Sequence, residues 1–401
     1  MDRSAVARLV ESSQYCAIAD DSLKDEDNAA WVLELEPAVQ REWIERIGWI
    51  RKVDRLAECE LLGKESYTNT DSPSFLALHR AWKQLLAQGT LPVTDDRLGL
   101  LATIQQRWFA TNDRSGSTQI SPELGDKGDR LDPWGDDRSG DEIDRLCIQA
   151  WDRYLDAILV YHTDDLRIAT LADYETMLET LAGSFFQILP FLSPAQWEAA
   201  YHFGAVDQFY NNLRDIDEDA RQGICYFPQE VLDRFGVARS QVLDRSCIGT
   251  PEFRAMMLFW LDDYLPKLRR RAFKLVLAQD LHPSWVILRD WSLHRYARIE
   301  RVLRDCQFDF VAFQSVYWEA VVADLNRWQM GLGMDHHPPS LVLQRADRAA
   351  QVAAFLKTSP RAVGMAQQLA RCLQEVSWSL LLELSSDWRR SPAENVAARL
   401  L

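Results

Sequence analysis

The stretch QFYNNLRDIDEDARQGICYFPQEVLDRFGV, residues 208–237, decides how this chain is read. Its first half continues a three- and four-residue apolar repeat, and the spacing predicts a helix from Ala199 to Ala220. On that helix Gln208, Asn211, Asp215 and Asp219 step by three, four and four, so they form one polar stripe. Val206, Phe209, Tyr210 and Leu213 supply apolar surface beside it. Charge next to a buried face is costly unless it is paired or bound to a cation. Two carboxylates one turn apart, with few protein ligands per ion, suit magnesium bridging to a phosphate.

A second acidic helix lies upstream. In Glu36–Glu60, Trp43, Ile47 and Ile50 form an inward stripe, and its continuation meets Arg51, Asp54 and Glu58. Four residues of helix rise about 6 Å, so Asp54 and Glu58 can reach one cation cluster. A single pair of this kind is usually a solvated face. Two pairs on separate helices raise the expectation that both turn toward a shared hollow.

Most of the remaining chain is also helical in pattern. Asp141–Tyr161, Leu171–Ile188, Pro251–Gln279 and Trp291–Cys306 repeat apolar residues at helical spacing, and alternating strand-like runs are scarce. The predicted class is therefore all-α. Residues 111–140 (TNDRSGSTQISPELGDKGDRLDPWGDDRSG) are polar, rich in Gly and Asp, and read as a surface insertion. GLGMDHHPPS, residues 331–340, separates a main domain, 1–330, from a C-terminal helical extension, 331–401. Within that extension Ala349–Trp388 reads as two helices split near Ser359-Pro360.

Composition narrows the function. The chain has 401 residues, 47% of them hydrophobic, and a formal net charge of −15, which argues against a phosphate-neutralising nucleic-acid binder. Its seven cysteines are odd in number and none pairs as C-x-x-C, which argues against a zinc ribbon or a disulfide framework and fits the reducing cytoplasm. Met1–Ala17 has no apolar signal core, and no apolar run is long enough to span a bilayer. Asp164-Asp165 and Asp262-Asp263 read as solvated acids, and His336-His337 as a loop. The basic run Lys267–Arg271 (KLRRR) reads first as a salt-bridged surface, with contact to anionic lipid as the alternative. No Gly-rich nucleotide loop is present, so no motif supports NADPH.

Residues 208–237 resemble the second aspartate-rich motif of the squalene/phytoene synthase family, Q-x-x-N-x-x-R-D-x-x-x-D-x-x-x-G-x-x-Y-x-P followed by a short helix ending in F-G. Gln208, Asn211, Arg214, Asp215, Asp219, Gly223, Tyr226, Pro228, Phe235 and Gly236 all match. Residues 167–185 (RIATLADYETMLETLAGSF) are similar to the family's helix that begins near R-Y-x-T and ends in an A-G-x-x-G-like kink. Residues 51–58 (RKVDRLAE) resemble the family's first motif, C-R-x-x-D-D-x-x-D, and Phe308-Asp309 resembles a later Y-D pair. The likeness runs from about residue 20 to residue 315, densest in the second motif.

The resemblance implies a single helical bundle of the isoprenoid synthase type with a central cavity. It implies two prenyl diphosphates of fifteen or twenty carbons as substrates, coupled head to head through magnesium-assisted ionisation. Asp54, Glu58, Asp215 and Asp219 would hold magnesium. Arg51, Gln208, Asn211, Arg214 and Tyr226 would contact substrate, and Leu181, Phe185, Phe186, Phe209 and Tyr210 are candidate apolar walls, although plain core fits each of them better. It further implies a cytoplasmic protein peripheral to a membrane. The chain departs from the pattern at Arg55, Glu58, Phe308 and Gln314, and the family's early S-x-S-F element is not evident near Asn28–Trp31. These departures carry a second reading, a catalytically silent relative whose C-terminal helices offer a partner surface for binding or assembly.

Overall fold

The computed structural model describes residues 35–63, 74–91, 99–109, 137–163 and 165–329, and every regular element among them is a helix. The all-α class expected from the sequence is the class observed. Residues 111–136 of the polar segment, the break at 331–340, His336-His337 and the C-terminal extension lie outside the described residues. Residues 137–140, assigned above to the insertion, already belong to a helix. The described chain divides into two compact units, Arg41–Gln208 with Gln222–Glu230, and Phe209–Arg221 with the residues from Val231 onward and those up to Gln40.

The first unit contains α1 (Pro37–Leu61) from Arg41, α2 (Phe75–Gln88), α3 (Gly99–Trp108), α4 (Asp137–Tyr161), α5 (Leu171–Leu178), a π-helical turn at Glu179–Gly183, α6 (Ser184–Ile188) and α7 (Pro194–Arg214) as far as Gln208. The buried line of α1 is Trp43, Arg46, Trp49, Ile50, Val53 and Ala57. This line is one position off the expected stripe, since Ile47 is only half-buried. Indoles form its core. Trp49 meets Trp108 edge-on at 5.6 Å, Trp108 meets Trp151 at 6.3 Å, and Trp151 meets Trp82 at 6.4 Å. Such pairs contribute about 0.5–1.5 kcal/mol each beyond area burial. The Arg46 guanidinium lies 4.8 Å from the Trp49 ring and 4.7 Å from the Trp108 ring, and burial holds its pKa below the ordinary value. Burial also pushes the Cys147 thiol up to about 11, which keeps it a packing group.

Side chains fasten α2 to α4. Lys83 Nζ donates to Asp152 at 2.5 Å and Asp156 at 2.9 Å, His79 Nε2 meets Asp156 at 2.8 Å, and Trp82 Nε1 donates to Asp152 at 3.0 Å. Helix α5 starts where its sequence says it should, because Thr170 and Asp173 form a capping box. The wide turn that follows ends at Gly183, where the sequence carries Ala182-Gly183. There α7 passes very close. A Cβ at Gly204 would lie 2.2 Å from the Ala182 carbonyl oxygen, and one at Gly183 would lie 2.7 Å from the Tyr201 ring. Only glycine permits that approach.

The second unit takes up the end of α7 and continues with α8 (Ile216–Arg221), α9 (Gln229–Phe235, from Val231), α10 (Arg239–Leu243), α11 (Pro251–Leu258), a second π-helical turn (Phe259–Tyr264), α12 (Leu265–Val276), α13 (Pro283–Asp305) and α14 (Phe310–Gln329). Phe209 packs on Trp260 and Tyr264, with ring centroids at 5.9 and 5.5 Å. Tyr210 stacks flat on Tyr296 at 4.3 Å. A buried polar triad sits beside that stack, in which the Tyr210 hydroxyl donates to Glu300 at 2.7 Å and Arg269 donates to both. Burial pushes the Tyr210 hydroxyl well above its usual pKa. Arg269 belongs to the basic run Lys267–Arg271. That run is therefore not uniformly a surface feature, and its central arginine is an internal ion-pair partner.

The corner between α13 and α14 is tight. Gln307 and Phe308 both adopt positive φ, 52° and 66°, and the Phe308 N–H closes back on the Leu303 carbonyl at 2.8 Å. Asp309 then caps α14, accepting from the Val311 and Ala312 N–H groups. Along the same pair of helices, Arg298 donates to Asp324 at 2.8 Å. Among the described residues no helix is long and apolar enough to cross a membrane.

Candidate active site

In the second unit the acidic stripe forms at the point where one helix gives way to another. Helix α7 ends at Arg214 and α8 begins at Ile216, so the single helix expected through Ala220 is interrupted at Asp215. The helical hydrogen bonding nevertheless continues. Asp215 N–H donates to the Asn211 carbonyl at 3.0 Å, and Asp219 N–H donates to the Asp215 carbonyl at 2.8 Å. Asn211, Asp215 and Asp219 therefore lie one above another, all half-buried, while Leu213, Ile216 and Ala220 beside them are buried.

Arg214 is itself buried and forks onto its neighbour. Its Nε donates to Asp215 Oδ1 at 2.7 Å and its Nη2 to Oδ2 at 2.8 Å. The Arg214 carbonyl accepts from Gln314 Nε2 at 3.0 Å, so the glutamine that departs from the family pattern caps the end of α7. Phe308, the other departure in this unit, is 3% exposed and belongs to the core.

A residue that sequence reasoning passed over lies between the two aspartates. Asp217 is 1% exposed, Arg245 Nε donates to its Oδ1 at 2.6 Å, and Arg221 donates to its other oxygen. Four acids in five positions, residues 215 to 219, gave no sign of which would turn inward. The partner Arg245 lies 28 positions on, beyond the reach of helical periodicity.

In the first unit Asp54 and Glu58 are both half-buried on the flank of α1. His162 Nε2 approaches Asp54 Oδ1 at 3.3 Å. Tyr154 on α4 is buried beside both acids. Burial, then the charges of Asp54 and Glu58, hold its hydroxyl well above the usual tyrosine pKa. Arg51 is half-buried on the same helix, whereas Arg55 is exposed. Gln208 and Tyr226 are half-buried in this unit. The segment carrying Tyr226 is tied down at its end, where the Gln229 and Glu230 N–H groups donate to the Ile168 and Ala169 carbonyls at 2.8 and 3.0 Å. The Glu230 carboxylate also accepts from Leu171 N–H at 2.8 Å, at the start of α5. Two motifs far apart in sequence thus meet in one local structure.

Of the candidate walls, Phe209 and Tyr210 are fully buried within the second unit's aromatic core. In the first unit Leu181 and Phe186 are buried and Phe185 is half-buried. Among the described residues, no three His, Cys, Asp or Glu side chains gather closely enough to hold a metal ion by themselves. The donors on the page are carboxylate pairs. Such pairs suit an ion that keeps its waters and takes further ligands from a bound phosphate.

Comparison with known proteins agrees with this motif. Residues 145–323 match the sequence profile of the family described as squalene/phytoene synthase. That region contains Asp215 and Asp219 and begins after Asp54 and Glu58. The chain is similar to a presqualene diphosphate synthase of Zymomonas mobilis, 55% identical over 38 residues, which are 10% of this chain and 13% of that protein. It is also similar to a 15-cis-phytoene synthase of Synechococcus elongatus, 32% identical over 124 residues, which are 30% of this chain and 37% of that one. The matched segments thus span well under half of these relatives. A crystal structure of a dehydrosqualene synthase in complex with ligand shares the all-α isoprenoid synthase fold, with a TM-score of 0.50 at 14% identity over 81% of this chain and 99% of that one. Over residues 145–323, somewhat under half of the chain, the protein is therefore similar to the squalene/phytoene synthase family.

Proposed function

We propose that the protein couples two prenyl diphosphates head to head, in a squalene- or phytoene-type reaction assisted by magnesium. The observation that carries this reading is the second acidic motif, complete in sequence and stacked residue over residue along Asn211, Asp215 and Asp219. Bound magnesium would neutralise the charge that builds on a departing diphosphate. Asp215 and Asp219 are the carboxylates proposed to hold it, and Asp54 and Glu58 of the first motif are proposed as magnesium ligands within their own unit. Arg214 keeps the Asp215 carboxylate in one orientation. Arg51 supplies fixed positive charge, and Gln208, Asn211 and Tyr226 supply polar contacts to substrate. Ionisation releases diphosphate and gives an allylic cation; the double bond of the second prenyl diphosphate captures it, and loss of a proton from the resulting cation closes the cyclopropyl intermediate. Apolar surroundings are needed to keep water from that cation.

The test is a product assay with farnesyl and geranylgeranyl diphosphate, with and without magnesium and NADPH. The expected result is turnover that requires magnesium. Asp219→Ala leaves the Arg214–Asp215 fork in place and should lower turnover by about a hundredfold or more. Absence of both turnover and binding of either diphosphate would overturn the proposal. It would favour the silent-relative reading, in which pull-down recovers a specific protein partner and Arg55→Asp with Glu58→Asp restores nothing.

A further inference from the structure

We propose that Asp217 and Arg245 form a latch that positions the second acidic pair, an inference that rests on the reading above. Helix α8 is a short piece that begins just past the interruption at Asp215, and so short a helix has little stability of its own. Its orientation must come from what it is tied to. Ile216 and Ala220 bury its apolar side. Asp217 adds a directional tie. Its carboxylate is almost wholly buried, and each oxygen is taken by a different arginine, one from within α8 and one from the turn after α10.

The geometry at Arg245 supports a positioning role. Its φ is 67°, a left-handed conformation that glycine adopts freely and arginine does not. The surrounding turn holds it there. Arg245 N–H donates to the Val242 carbonyl at 3.3 Å, Cys247 N–H to the Gln241 carbonyl at 3.1 Å, and Ser246 N–H to the Asp244 side chain at 2.8 Å. Strained backbone held this firmly is typical of places where a side chain must be aimed. Here it aims a guanidinium at Asp217, which lies two residues from Asp215 and two from Asp219. When the groups behind a ligand pair are removed, affinity for the ion commonly falls by about ten- to a hundredfold. Asp217 and Arg245 are assigned to that supporting position, not to contact with substrate.

The test compares Asp217→Asn, Arg245→Gly, the double variant and Arg245→Lys in the full-length protein. Arg245→Gly removes the guanidinium and relieves the strained backbone, and the side chain is 35% exposed, so this variant folds even where Asp217→Asn does not. The readout is the magnesium concentration giving half-maximal turnover, alongside binding of inorganic diphosphate with magnesium. Asp324→Asn, which breaks the Arg298 pair elsewhere in the same unit, is the control for a merely structural loss. The expected result is a rise in the magnesium requirement of about ten- to a hundredfold in each single variant. The double should be no worse than either single, the lysine variant intermediate, and the control unchanged. An active wild type with a folded Arg245→Gly variant of unaltered magnesium requirement would overturn the latch alone, as would additive losses in the double. A wild type without turnover or diphosphate binding would overturn the coupling reading and the latch with it.

Discussion

Gly204 and Gly48 offer the same substitution with opposite expected signs. Both are helical glycines. A Cβ at Gly48 on α1 meets nothing within 4 Å, whereas one at Gly204 on α7 meets Ala182 O at 2.2 Å, Ala182 C at 2.7 Å and Gly183 Cα at 2.9 Å. All three obstructing atoms are backbone, so no side chain can swing aside. The shortest contact is about 1.2 Å inside the 3.4 Å at which ordinary contact begins. Either α7 or the wide turn at Glu179–Gly183 must withdraw by that amount, and overpacking on this scale costs about 1–3 kcal/mol or more. The gain in helix propensity from glycine to alanine returns about 0.5–1 kcal/mol. Gly204→Ala should therefore lose about 1–2 kcal/mol, a fall of roughly 1–3 °C in melting temperature for a protein of this size. Gly48→Ala should gain about 0.5–1 kcal/mol, because only the propensity term operates there. Thermal unfolding followed by circular dichroism at matched scan rates reads both. A Gly204→Ala protein that melts at or above wild type would refute the close approach of α7 to Ala182-Gly183.

Two further outcomes follow from buried and half-buried charge. Glu300→Gln leaves the Arg269 guanidinium buried without its counter-charge and should cost about 3 kcal/mol in urea unfolding, while Arg269→Met with Glu300→Leu should recover most of it; a single-variant loss below about 1 kcal/mol would count against the triad. At Asp156 burial works to raise the pKa, but the hydrogen bonds from Lys83 and His79 outweigh it and hold the carboxyl below its usual range. A depressed folded pKa gives stability that is present above the unfolded value near 4 and lost as pH falls through the folded value. Asp156→Asn should therefore cost no more than about 1 kcal/mol at neutral pH, given the exposure of the pair, and nothing at an acid pH below the folded value. An equal deficit at both pH values would mean that packing, not charge, fastens α2 to α4.

Much of this was legible in the sequence because helical periodicity is local. Asn211, Asp215 and Asp219 stack as three- and four-residue steps require, whereas the buried line of Glu36–Glu60 lies one position off the stripe those steps predict. The helix start at Leu171 was located to the residue. Three features were not legible, each for a physical reason. Arg46 lies in the buried line of α1 because two indoles flank it, and one of them, Trp108, comes from a distant helix. Asp217 turns inward because Arg245 reaches it from 28 positions away. The interruption at Asp215 and the two π-helical turns conserve apolar composition, so a pattern of hydrophobic spacing passes over them. Helix starts also moved. Asp141 became Asp137, and Trp291 became Pro283, where His282 supplies the cap.

The wide turns at Glu179–Gly183 and Phe259–Tyr264 bear on how sequences of this kind should be aligned. Each takes more residues per revolution than an ordinary helical turn, so the side chains beyond it are out of phase with those before it by about one residue, or roughly 100°. A homologue lacking one residue at either place could keep both flanking faces intact by reverting to plain α-helix there. The same single-residue deletion anywhere else in Leu171–Ile188 or Pro251–Val276 would rotate half the helix and carry its buried side chains into solvent. Gaps placed inside these helices should therefore fall at the wide turns and nowhere else.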